Sequence, residues 1–132
     1  MRRRRTLAWL LAIVVAHAVV SAVHGQAHSG AAVPLSPAAN AFVFVVILAG
    51  PIVSLAVMWW NTRNGSWLLT ATLGASFVFG VVNHFVLVSP DHVGHVAQEW
   101  RFVFTTTAVL LAVTEAAGSL LALRAATERT VS

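Results

Sequence analysis

Ten residues carry nearly all the titratable chemistry of this 132-residue chain apart from its arginines: six histidines and four acids, with no lysine and no cysteine. They are not scattered. NHFVLVSPDHVGHV, from Asn83 to Val96, holds His84, Asp91, His92 and His95; HGQAH, residues 24–28, holds His24 and His28, and His17 lies just before it. His17, Ser21 and His24 recur at i, i+4 and i+7, which puts them on one face of a helix, and His28 extends the stripe if the helix continues. A His-xxx-His pair on a helix brings two imidazoles close enough to share a metal. Asp91-His92-xx-His95 can do the same from a turn or a short helix. The candidate ligands are therefore His24, His28, His84, Asp91, His92 and His95, from two segments that an antiparallel bundle would bring to the same end. Neutral imidazole with one carboxylate suits Zn, Cu(II), Ni or Fe. A Cu(I) thioether site is disfavoured, because the one non-initiator methionine, Met58, falls near the opposite ends of the helices.

Two other readings use the same residues. His17 and His84 could be the axial ligands of a b-type haem held between two helices, with Gly80 one turn from His84 leaving room for a flat ring. Alternatively the histidines sit at an interface they tolerate well, and Asp91, after Ser89-Pro90, caps a short helix.

Glu115 is the sharpest single residue, a carboxylate near the middle of the last apolar run. At that depth it costs several kcal/mol unless paired, protonated or wetted. Its helical neighbours Ala108, Ala112, Gly118, Ser119 and Ala122 form a small-residue face of the kind that packs closely on another helix, so Glu115 is expected inside a bundle. Every arginine lies in a loop or at a helix end, so no basic partner is expected, and Ser76 or Thr72 on the third run stands at about the right depth to hydrogen-bond it. Glu115 then acts either as helix glue or as an intramembrane acid in a proton or cation relay.

The elements that must position these groups follow from the apolar runs. Charged residues make up 9% of the chain, against about a quarter in soluble domains, which points to lipid as the solvent. Four runs, about 7–24, 38–60, 67–88 and 102–124, are each long enough to cross a bilayer core as a helix. They do not alternate as barrel strands would. The connectors 24–40, 61–66 and 89–100 hold the helix breakers Gly25, Gly30, Pro34, Pro37 and Pro90, while Gly50-Pro51 should kink the second helix. The fold class expected is an all-α integral membrane protein: residues 1–132 as a single domain, a compact bundle of four transmembrane helices with both termini inside. Arginine sets that orientation, with Arg2 to Arg5, Arg63, Arg124 and Arg129 on the inner side and only Arg101 outside. Trp9, Trp59, Trp60 and Trp67 mark the inner interface and Trp100 the outer one. The histidines then all fall toward the outer face. MRRRRTLAWLLAIVVAHAVVSA also fits a cleaved leader ending near residue 22, which would leave three spans.

No Gly-rich phosphate loop and no nucleophile with a base at workable spacing is present, so the sequence favours a non-enzymatic role. The N-terminal arginines suit anionic lipid rather than nucleic acid. The function expected is a small polytopic protein, in the prokaryotic inner membrane, that binds a divalent transition metal at a histidine-rich outer face as a metal or proton transporter or an accessory to one. Its partners are the bilayer and either other membrane subunits or further copies of itself. A structural or haem-holding subunit of a larger membrane complex is the alternative.

Overall fold

The computed structural model describes residues 2–128, with side chains from residue 4 onward. Arg129, counted above with the inner arginines, lies outside the described residues. Those residues are all-helical, with no strand among them. The elements are α1 Arg2–Gly30, α2 Pro37–Phe42, α3 Gly50–Trp60, α4 Thr62–Val81 and α5 Gln98–Thr127. A π-helical stretch, Val43–Ala49, joins α2 to α3, and a second, Val82–Val86, prolongs α4. Four helices result that are long and apolar enough to cross a membrane: Arg4–Gly30, Pro37–Trp60, Thr62–Val86 and Gln98–Thr127.

Local chemistry accounts for the boundaries. Ser36 accepts the N–H of Ala39 in front of Pro37, so the second helix begins with an N-cap and a proline in its first turn. Asn61 ends α3 in an extended conformation, and its side chain accepts the N–H of Asn64 to start α4. That cap is why the third helix begins at Thr62 rather than 67. The expected kink at Gly50-Pro51 takes the form of a widened turn. Proline lacks an N–H and crowds the carbonyl four residues back, and the residues before Pro51 relax into the π-helical stretch.

The first helix differs most from expectation. Residues 25–30, expected in a loop, continue α1 for more than a turn. One glycine inside a helix costs only about 1 kcal/mol relative to alanine, too little to break a helix whose backbone has no other partner. The helix stops after Gly30, where the ring of Trp100 occupies the space a side chain would need and Ala32 turns the chain with a φ of 52°. Trp100 thus packs, half-buried, against the bundle.

In the packing, α1 lies against α5, α5 against α4 and α4 against α3, while α1 and α3 scarcely touch. The four spans form an arc. At one end the arc is filled by Leu10, Val14, Met58, Leu69, Leu73 and Ala122, where Gly118 lets Leu73 and Ile13 come close. At the other end Ala27, Val96 and Phe104, with Trp100 beside them, make a smaller core. The open side of the arc leaves a cavity of about 530 Å³ between α1, the second span, α4 and α5. Large apolar side chains, among them Trp9, Phe44, Trp59, Trp60 and Leu120, cover the outside.

Candidate metal centre

Continuing α1 past Gly25 carries His24 and His28 along one helix face into the smaller core. The π-helical turn at Val82–Val86 brings His84 to the same place from α4. One ligand atom from each of His24, His28 and His84 lies within 4.8 Å of the others, so the three imidazoles could together hold a metal ion. His24 and His84 are buried and His28 is partly so. Phe104 on α5 walls the group, its ring centroid 4.7, 4.8 and 5.3 Å from those of His24, His28 and His84.

Hydrogen bonds behind the rings decide which nitrogens face inward. His84 Nδ1 lies 3.1 Å from the Asp91 carbonyl oxygen and 3.2 Å from Asp91 Oδ1. Both are acceptors, so Nδ1 carries the proton and Nε2 offers a lone pair. On His24, Nδ1 lies 2.8 Å from Thr107 Oγ1. The Thr107 hydroxyl donates to the Val103 carbonyl at 2.7 Å, so its lone pair accepts from His24 Nδ1–H. The two Nε2 atoms left over face each other at 3.2 Å. Two lone pairs at that distance repel unless a proton on one ring or a metal ion stands between them. Two nitrogens bound tetrahedrally at 2.0–2.1 Å stand about 3.3–3.4 Å apart, close to the separation found. Asp91 and Thr107 are then the groups that fix ligand orientation behind a metal site.

Asp91 arrives from the loop after the third helix. The Val93 N–H donates to the His84 carbonyl at 3.0 Å, folding the loop back over the helix end. Asp91 Oδ1 also lies 3.3 Å from His28 Nε2, yet it is buried and aligned for a hydrogen bond with neither ring. Burial pushes its carboxyl upward, but the close approach of His84, and then of His28, outweighs this and holds it below the ordinary carboxylate range.

His92 and His95 are not part of the cluster. His92 Nδ1 accepts from Gly94 N–H at 3.0 Å, and His95 Nδ1 donates to the Ser89 carbonyl at 2.8 Å. They lie beside each other, ring centroids 5.4 Å apart, and serve to shape the loop.

Glu115 is buried, 2% exposed, but its partner is neither Ser76 nor Thr72. Ser76 Oγ donates to the Thr72 carbonyl at 2.7 Å, Thr72 Oγ1 donates to Leu69 O at 3.3 Å, and the Thr72 side chain packs on Gly50. Glu115 Oε1 instead meets His17 Nε2 at 3.1 Å, both side chains almost fully enclosed. This also occupies the Nε2 of His17, while His84 turns its Nε2 to His24, so the two expected haem ligands are turned to different partners. The pairing follows once the structure sets α1 against α5. From the Gly30–Trp100 contact, His17 is thirteen residues along α1 and Glu115 fifteen along α5, a depth difference of about 3 Å.

Sequence reasoning missed Thr107 and Phe104, because a threonine among threonines and a phenylalanine in an apolar run carry no signal until a partner helix is placed beside them. No protein family model, curated protein or solved structure matches this chain, and its chemistry is read from the geometry alone.

Proposed function

We propose that this chain is a multi-pass protein of the prokaryotic inner membrane, with both termini cytoplasmic, that takes a divalent transition metal at its outer end. In this reading His24, His28 and His84 are the ligands, and the protein serves as a metal transporter or as an accessory subunit of one. The supporting observation is the pair of Nε2 lone pairs at 3.2 Å, each fixed in place by a hydrogen bond behind its ring. The arginine distribution supports the orientation, placing the histidine end outside. Zn, Ni, Cu(II) and Fe suit the donors. A three-histidine set leaves a fourth position open, as in sites that exchange a ligand rather than lock the metal in. The haem alternative is weaker. Its two ligands, His17 and His84, face other groups: His17 Nε2 meets Glu115 Oε1 at 3.1 Å and His84 Nε2 meets His24 Nε2 at 3.2 Å.

Purified protein in detergent, titrated with Co²⁺ as an optical probe, tests the reading. The expected result is one ion per chain with the intense visible bands of tetrahedral coordination, displaced by Zn²⁺ and lost in His24→Ala. A Soret band in the protein as purified would point to haem instead. Neither ion nor haem would leave a structural subunit as the better description.

A further inference from the structure

The cavity that opens beside the histidine cluster reaches down to Glu115. Three observations concern the space between them. Ser21 Oγ is buried there without a hydrogen-bond partner. Helical Ser29, Ser54 and Ser76 each donate to the carbonyl four residues back; Ser21 Oγ and Ser66 Oγ do not, and of these two only Ser21, on the same helix face as His17 and His24, lines the cavity. A buried polar atom of this kind in a cavity with room for several waters calls for one. Gly80 stands between the two sites: a side-chain carbon there would lie 4.0 Å from Glu115 Oε2 and 4.0 Å from His84 Cδ2. Glu115 and the cluster are thus about 8 Å apart or less across a gap that exists because residue 80 has no side chain. Finally, His17 Nε2 meets Glu115 Oε1 at 3.1 Å, a geometry in which the pair can share a proton and in which a neutral His17 still donates Nε2–H to the carboxylate.

Resting on the metal reading above, we propose that the His17–Glu115 pair is the charge-compensating proton site of the cluster. A divalent ion taken up by His24, His28 and His84 expels one proton from the pair, which leaves through water held at Ser21 Oγ across the gap at Gly80. The charges support this. Lining the cavity, α1 supplies His24 and His28, α4 and its extension His84, the following loop Asp91 and α5 Glu115, while the second span offers no titratable group; His17 lies behind Glu115, at 3.1 Å from its Oε1. A bound dication with Asp91 leaves an excess of one positive charge in a weakly polar interior, where charges act strongly on one another. Glu115, once the pair has lost its proton, supplies the missing negative charge. Neither member of the pair is hydrogen-bonded to a cluster histidine, so the exchange does not disturb the ligands.

Zn²⁺ is added to the full chain in detergent under weak buffering, with a pH dye counting protons and elemental analysis counting bound Zn²⁺. Wild type is expected to release about one proton more per ion than Glu115→Gln, with equal Zn²⁺ bound. Gly80→Ala, whose methyl would sit at ordinary contact distance from both neighbours, should release the same number but at least about tenfold more slowly in stopped flow. Equal proton counts in wild type and Glu115→Gln overturn the inference and leave the metal reading intact, whereas a wild type that takes up no Zn²⁺ overturns both. Should Glu115→Gln fail to assemble, Gly80→Ala decides, and wild-type release kinetics there reject the route and the proposal.

Discussion

At one end of the bundle Leu10, Val14, Met58, Leu69, Leu73 and Ala122 meet one another directly, with Gly118 removed from the way of Leu73 and Ile13. At the other, α1, the extension of α4 and the loop after it turn three imidazoles and a carboxylate inward beside a cavity of about 530 Å³. The first arrangement needs only shape. Apolar helices with small residues at their contacts associate by close packing. The second needs direction: each polar group must find a partner, and Thr107, Asp91 and Ser89 are spent on aiming or bracing histidines. One end holds the helices together, and the other uses the rigidity this provides.

Substitutions should separate the two ends. The largest effect is expected from His84→Ala, which removes a ligand. Zn²⁺ affinity by equilibrium dialysis should fall by more than the roughly 100-fold typical of losing a group behind a ligand, with helix content unchanged. Leu73→Ala should do the opposite. It opens a void at the packed end and costs about 2 kcal/mol, the low end of the range because only the cavity contribution counts in lipid. Denaturation in detergent with and without Zn²⁺ checks it; a matching loss of Zn²⁺ affinity would mean the ends are not independent. Thr107→Val keeps the volume but leaves His24 Nδ1–H without its acceptor, and about a tenfold drop in affinity is expected. The Thr107→Ser variant should restore most of it.

The loop carries a pH signature. Asp91 is held below the ordinary carboxylate range in the folded chain, so its contribution to stability is complete above ~3.9, where an unfolded aspartate ionises. It is lost as pH falls through the lower folded value. Stability curves of wild type and Asp91→Asn should therefore diverge at neutral pH and converge below about pH 4; a constant gap down to acid pH would show that Asp91 acts by shape. The smallest effect belongs to His92→Ala and His95→Ala, which lie outside the cluster and should change Zn²⁺ affinity by less than about twofold.

Composition and run length make the four helices legible, because each run is apolar and long enough for a membrane-crossing helix. The stripe His17, Ser21, His24, His28 is legible as well, since helical periodicity belongs to a single segment. Glu115 on its small-residue face reads as interior for the same reason. What is not legible is which side chains cross between segments. His17 rather than Ser76 meets Glu115 because the axial register of α1 on α5 is set by Trp100 seated on Gly30, a contact seventy residues apart in sequence. His84 joins His24 while His92 does not, because a π-helical turn adds a residue to one winding and redirects the side chain. Thr107 and Phe104 become part of the site only when α5 lies beside α1. Sequence by itself determined the helices, the faces and the chemical inventory, which depend on residues near one another in the chain. Register, the facing of two lone pairs and the cavity beside them depend on how separate helices slide and rotate against each other, and only the tertiary structure decided those.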